Sequence, residues 1–353
     1  MDILEATREY ERWMAARISI VRPDLAHKHK RMAESAFVFL RGTFYRWVQL
    51  WPGVCDSLVD APAVPTVGDL HVENFGTWRD VEGRLVWGVN DVDEACSLPY
   101  TADLVRLATS AELASRESRF DVIPGDLCDA ILEGYTTSLE RGGRPFVLAE
   151  NRRWLRRIAL NELRDPAVYW PKFDVLPSAS GEIPHAALRS ALPDPRLPYR
   201  VARRVAGVGS LGRRRVVALG EWLGARIARE AKAWLPSAAV WATGRTSIAF
   251  DASKLLARAA RAPDPFVRLQ GGWIVRRLAP DCSRIELNDL PKVRDELKLL
   301  QAMGAETANF HVSTPRAIRN DLKRRPRRWL ERASSSMADA VDAEWRRWVK
   351  HGA

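Results

Sequence analysis

Between residues 66 and 78 the chain reads TVGDLHVENFGTW, and between 89 and 95 it reads VNDVDEA. Val67, Leu70, Val72, Phe75 and Trp78 call for burial, yet Asp69, His71, Glu73 and Asn74 stand among them, and Asp91, Asp93 and Glu94 follow. A buried polar group is costly unless it is hydrogen-bonded, and a buried charge more so. A fold that accepts this stretch must hold it as a loop against a core and supply partners for its acids. Asp and Asn also favour ordinary turns and helix starts, so composition alone admits a plain turn as well as a site.

The surrounding pattern sets the frame. Residues 1 to 50 interleave charged and apolar residues as helices do. Pro62 and Pro65 interrupt that pattern just before the loop. GRLVWGVNDV reads as a strand after a DVEG turn, TADLVRLATSAELASRES as an amphipathic helix, and PGDLCDAILEGYTTSLERG as another. LPSASGEIPHAALRSALPDPRLPYR is loop-like and serves as a linker, after which YRVARRVAGVGSLGRRRVVALGEW predicts strand, glycine turn and strand. GGWIVRRL is a further strand, VRDELKLLQAMGAETANFHVS a helix, and a basic helical tail closes the chain. The expected division is 1–195 as a helical, loop-bearing lobe, 196–285 as a small antiparallel-sheet lobe, and 286–353 as returning helices with the tail.

Asp69 and Asn74 form D-x-x-x-x-N, the spacing of a phosphoryl-transfer catalytic loop. There the Asp receives the proton of an attacking hydroxyl and the Asn side chain holds magnesium. Both must face one phosphate from one short loop, because this chemistry is mostly positioning and charge neutralisation. His71 lies two residues after Asp69, Asp91 arrives after one short strand, and Asp103 opens the next helix. That order is the one in which kinases set their second metal ligand. His71 is equally a candidate for a hydrogen-bonded core histidine, and Asp103 for a helix cap.

The stretch GDLHVENFG … VNDVDEACSLPYTADLVRLATS resembles the catalytic segment of the aminoglycoside phosphotransferase-like branch of the protein-kinase fold. With FVFLRG upstream it is more closely similar to a bacterial domain-of-unknown-function 2252 family, whose FxRG, GDxHxxNFG and NDxDE motifs occur in this order. The likeness is good over residues 37 to 110 and looser beyond. It implies Asp69 as catalytic base, with Asn74 and Asp91 as magnesium ligands; His71 of the same motif is a further catalytic candidate. Asp93 or Glu94 would assist the metal or the substrate, and Asp103 would steady the loop. Arg41 belongs to the FLRG motif without an assigned role.

Gly207-Val208-Gly209-Ser210-Leu211-Gly212 is a G-x-G-x-x-G between strand-like segments, suited to close approach of backbone N–H groups to phosphates, or to a plain hairpin turn. A dinucleotide turn would continue into a helix, whereas RRRVVAL reads as strand. The resembled family carries a K-E-A triplet next. Here the residues are Arg229-Glu230-Ala231-Lys232, so Arg229 takes the place of the expected lysine and Lys232 is the other candidate. Kinases put the glycine loop before the catalytic Asp; here it comes after. The expected fold is thus α+β, a bilobal protein-kinase-like build in circularly permuted order, with ATP and magnesium as cofactors.

Fifty-five Lys and Arg against 44 Asp and Glu give a net charge of +11, which favours polyanions without choosing among them. Scattered Cys55, Cys96, Cys128 and Cys282 argue against a zinc site or a disulfide scaffold. No apolar run or leader-like N-terminus points to a membrane or to export, so a cytoplasmic protein is expected. Three functions follow: an ATP- and magnesium-dependent phosphotransferase acting on a small-molecule or protein hydroxyl, a nucleotidyl (AMP) transferase on the same fold, or a non-catalytic protein binding nucleotide or nucleic acid. The Arg/Trp-rich segments RAIRNDLKRRPRRWLERASS and EWRRWVKHG support the last, unless they are helices that use Trp for packing.

Overall fold

The computed structural model describes residues 1–117, 122–148, 152–159, 165–282 and 295–352. It is a mixed α+β structure of helices and small antiparallel sheets. The helices Ile3–Ala15, Arg22–Met32, Ala36–Gly42 and Phe44–Val54 come first. Asp2 caps the first by accepting from Glu5 N at 2.9 Å, and Ser35 caps the third by accepting from Val38 N at 3.3 Å. Strand β1 (Ala63–Thr66) follows and pairs antiparallel with β4 (Cys96–Pro99). Between them lies the hairpin of β2 (Phe75–Arg79) and β3 (Leu85–Val89), with β5 (Phe146–Val147) added at the β3 edge. Asp80 closes the hairpin turn by accepting from Glu82 N and Arg84 N.

Two helices, Tyr100–Arg116 and Pro124–Glu140, run beneath these strands, and Asp295–His311 packs along the second. That last crossing is very close. Gly134 lies against the carbonyl of Gln301, and Gly304 lies against the carbonyl of Ile131, so neither position has space for a methyl group. The C-terminal helix Trp329–His351 lies across the N-terminal helices. These elements share one large apolar core that includes Phe37, Trp47, Leu104, Tyr135, Met303 and Trp348.

Strands β6 (Tyr199–Arg203), β7 (Arg215–Trp222), β8 (Ala225–Ala233), β9 (Arg268–Gln270) and β10 (Trp273–Leu278) form an antiparallel sheet in the order β6-β7-β8-β10-β9. The segment expected as a linker holds the helix His185–Ser190, whose Ala187 and Leu188 pack on Val216, Ala231, Trp273 and Val275 of this sheet. On the other face, Ala202, Val217, Ala228 and Leu278 meet Phe173. The stretch between β8 and β9 leaves the sheet: Leu235, Ala238, Ala239, Ile248 and Leu255 join the large core. The boundary expected at residue 285 lies outside the described residues.

Gly134→Ala or Gly304→Ala is expected to destabilise the chain, because backbone and not a flexible side chain opposes the added methyl. Overpacking of this kind costs about 1–3 kcal/mol or more. Urea denaturation of either variant checks it, and an unchanged midpoint would refute the crossing as described.

Candidate active site

One face of the Tyr100–Arg116 helix grips the loop of residues 67–74 at three levels. Asp103 accepts Val67 N at 2.8 Å and Gly68 N at 3.0 Å. Arg106 Nε donates to Asp69 Oδ1 at 2.9 Å, with Nη2 on the same oxygen. Ser110 Oγ accepts Val72 N at 3.0 Å. Positions 103, 106 and 110 follow the helical repeat, so they lie on one side. Gly68 makes the geometry possible: its φ is +84°, and the carbonyl of Glu94 sits where a Cβ would be. Asp103 is buried and also meets His311 Nε2 at 3.3 Å, while His311 Nδ1 lies 2.9 Å from Tyr135 OH. A proton on Nε2 serves both bonds, Tyr135 donating to Nδ1 and Nε2 donating to Asp103.

Asp69 therefore keeps Oδ1 on Arg106 and leaves Oδ2 toward a cavity. Burial raises its affinity for a proton, and Arg106 only partly opposes this. Arg106 itself is fully buried, stacked near Phe44 and Trp47, and donates to Leu40 O at 2.9 Å. His71 is buried and lines the same cavity. Arg41 forms an ion pair with Glu73, which ties the FLRG helix to the loop.

Asn74 joins the loop to the strand end that carries Asp91. Its Nδ2 donates to Asp69 O at 3.2 Å and Asp91 O at 2.9 Å, and its Oδ1 accepts Asp91 N at 3.0 Å. Asp91 and Asp93 both pair with buried Lys232 of β8, with Lys232 Nζ 3.0 Å from Asp91 Oδ2. Burial alone would raise Asp91, but Lys232, Asp93 and Arg276 outweigh it and hold its carboxyl well below the ordinary range. Asp93 is pushed up to about 7 by burial and by the charge of Asp91, against Lys232. Glu94 accepts from Arg213 Nη2 at 2.8 Å and from Ala238 N.

The glycine segment reaches this place from the sheet. Gly207 (φ +75°) starts a single 3-10 turn, and Gly209 comes so close to the Asp69 loop and the FLRG helix that a Cβ would lie 3.0 Å from Arg41 O and 3.4 Å from Asp69 Oδ2. Ser210 Oγ accepts Arg215 Nη2 at 2.6 Å. Gly212 packs on Leu25, and its carbonyl accepts Val21 N at 2.9 Å, which fastens the segment to the Arg22–Met32 helix instead of the cavity.

Arg229 is a correction to the sequence reading. Successive residues of a strand face opposite ways, so positions 229 and 232 of β8 cannot share a face. Lys232 points to the acids, whereas Arg229 points to the other face, donates to Ala191 O at 2.6 Å and lies over the Phe266 ring. Of the two candidates, Lys232 is the one that stands beside the acids. Beside it, Glu230 is ringed by Arg215 Nη1 at 2.8 Å, Arg276 Nε at 2.8 Å and Arg204. Those guanidiniums overcome the effect of burial and hold Glu230 well below its ordinary range. Three cations on one carboxylate leave positive charge next to Lys232.

Two cavities meet at Asp91 and Asp93, which line both. The inner one, about 60 Å³, lies between Gly209 and the Asp69 loop. It can take a few waters or one small tetrahedral anion. The outer one, about 290 Å³, runs under the sheet between apolar walls that include Val89, Leu256, Val267 and Ile274. It is near the lower end of small-ligand pockets. Among the described residues no group of three or more His, Cys, Asp or Glu forms a ready metal cage. Magnesium needs none: it is commonly held by one or two carboxylates together with phosphates and water. Asp91 with the second lone pair of Asn74 Oδ1 fits that demand.

A family model described as an uncharacterised protein conserved in bacteria (DUF2252) matches residues 21–165. The match spans the Asp69 loop, Asp91, Asp93 and the Asp103 helix, and ends before the five-stranded sheet. No curated protein and no solved structure matches the chain. Among the described residues no helix is long and apolar enough to cross a membrane.

The raised Asp93 carries a sign. Its folded form holds a proton that the unfolded form has lost between about pH 4 and pH 7, so its contribution to stability falls as pH rises through that window. Asp93→Asn should therefore stabilise the unliganded protein at about pH 8 and lose that advantage near pH 4. Denaturant titrations at both ends of the window measure this; an advantage independent of pH would refute it.

Proposed function

We propose that the chain is an ATP- and magnesium-dependent phosphotransferase of protein-kinase-like build, with the nucleotide sheet following the catalytic segment in the chain. The observation that carries this reading is convergence. The Asp69–Asn74 loop, Asp91, Lys232 and the Gly209 turn come from distant segments and meet around two joined cavities. The outer cavity suits the nucleoside. Its phosphates would run past Lys232, Arg215 and Arg276 toward the inner cavity, under the backbone of the glycine turn. Asn74 and Asp91 would hold the magnesium ion, which when bound neutralises phosphate charge. Asp69, fixed by Arg106 and with raised proton affinity, would orient an acceptor hydroxyl and take its proton.

Magnesium-dependent thermal stabilisation by ATP is expected, with its loss in Asp91→Asn. No shift at millimolar nucleotide would count against the proposal. Asp69→Asn should keep that shift and lose phosphoryl transfer by about 10²–10⁴-fold. Mass spectrometry of products separates transfer of phosphate from transfer of AMP, and an AMP adduct would replace this reading with the nucleotidyl one.

A further inference from the structure

The inner cavity contains a cation that belongs to neither the catalytic loop nor the sheet. Lys28, on the Arg22–Met32 helix, is only 3% exposed. Its Nζ lies 3.4 Å from Gly209 O and 5.7 Å from the centre of the Tyr45 ring. The two arginines that line the same cavity are each ion-paired, Arg41 with Glu73 and Arg213 with Glu94 and Asp93. Lys28 forms no ion pair with any described residue. A buried ammonium without an ion-pair partner costs stability, because Glu11, Glu94 and Asp69 favour its charge only from a distance and burial outweighs them. Burial also pushes Lys28 down to about 8.

Its helix is fixed to the glycine segment at two points, Val21 N on Gly212 O and Leu25 on Gly212, and to β6 by an ion pair of Asp24 with Arg203. Lys28 is thus held beside the same turn that covers Asp69. Asp69 Oδ2 also stands close to Gly209, and Lys28, Asp69 and Gly209 line one cavity of about 60 Å³, enough for one small tetrahedral anion. We propose that Lys28 binds the terminal phosphoryl group of the nucleotide in the inner cavity and neutralises it during transfer. This rests on the function proposed above. In the step, the acceptor oxygen bonds to the terminal phosphorus as that phosphorus loses its bond to the oxygen bridging to the β-phosphate. ADP leaves with the electron pair, the acceptor proton goes to Asp69, and Lys28 stays protonated throughout. Lys232, paired with Asp91 and Asp93, serves the inner phosphates instead.

Calorimetric titration of the full chain with Mg–AMP-PNP and with Mg–ADP tests the assignment. Lys28→Met should weaken AMP-PNP by about tenfold or more, the scale of one charged hydrogen bond, and leave ADP within about twofold. Lys28→Arg should recover part of the loss. Lys28→Met should also melt no lower than the parent, because it removes a buried charge that has no ion pair among the described residues; a lower melting point would mark a structural lysine and overturn the assignment. If Lys28→Met does not fold, Lys28→Arg carries the test: it keeps the charge, so equal loss of both nucleotides refutes the assignment. Equal loss of both nucleotides in Lys28→Met, or loss of neither, refutes Lys28 alone. Failure of the parent chain to bind either nucleotide refutes the phosphotransferase reading, and the Lys28 assignment with it.

Discussion

The site depends on a buried carboxylate. Gly68, at positive φ, leaves the N–H groups of Val67 and Gly68 pointing the same way into the protein, where water cannot reach them. Asp103 takes both. A carboxylate is purely an acceptor, so it answers two amide donors without offering a proton that would itself need a partner. Burying that charge is tolerable because a third donor, His311, completes the set. His311 ends the Asp295–His311 helix, and the depth of that helix is set by the glycine crossing with Pro124–Glu140. The same helix sends Glu306 to Val89 N at 3.2 Å, at the strand end that leads to Asp91. The Asp69 loop and the strand leading to Asp91 are thereby positioned by one element that lies more than 200 residues later in the chain.

What was legible in the sequence follows from distance along it. Asp69, Asn74, Asp91 and Asp103 lie within one compact run of loop, hairpin and helix start, so their order and spacing reflect a local geometry. Arg106 and Ser110 were legible in principle, as polar residues at helical spacing from Asp103 on an otherwise buried helix. The ring of Arg204, Arg215 and Arg276 around Glu230 was not, because the three arginines stand on or beside three different strands, Glu230 stands on a fourth, and they share no motif. Lys28 gives no signal beyond one lysine in the basic run HKHKR. Arg229 is a different kind of miss. A motif matched by position favoured it, but once ARIAREAKA is a strand, a period of two puts Arg229 with Ala231 and Ala233, away from the acids. The helix His185–Ser190 was hidden by the prolines around it, although Ala187 and Leu188 fill one face of the sheet.

The positive charge of the chain also reads differently in three dimensions. In the C-terminal segment Trp329 and Trp348 are buried, Trp345 Nε1 donates to Ala33 O, and Trp348 Nε1 donates to His29 O. These indoles are occupied in packing a helix, as Trp on an amphipathic face commonly is. Several of the remaining arginines are internal. Arg106, Arg213, Arg215 and Arg261 are buried or nearly so, and each has carboxylate partners or aromatic faces. Arg suits this use better than Lys, because a planar, weakly hydrated guanidinium loses less on leaving water.

That internal charge has a consequence for how a ligand could enter. Without one, Asp91 and Asp93 satisfy Lys232, Glu230 satisfies three guanidiniums, and Glu94 satisfies Arg213. Lys232, Glu230 and Arg213 are buried, so stripping one of them of its partners without a replacement would leave an uncompensated charge and cost several kcal/mol, roughly 3–5. On the proposed reading a metal–polyphosphate complex replaces both halves at once: the cation takes the carboxylates while the phosphates take Lys232 and the arginines. Neither metal alone nor free polyphosphate can do this, since each would free one partner and strand the other. On that reading the site responds to the complex rather than to its parts. Lys28 fits the same logic from the other side, as the cation of the inner cavity that forms no ion pair among the described residues.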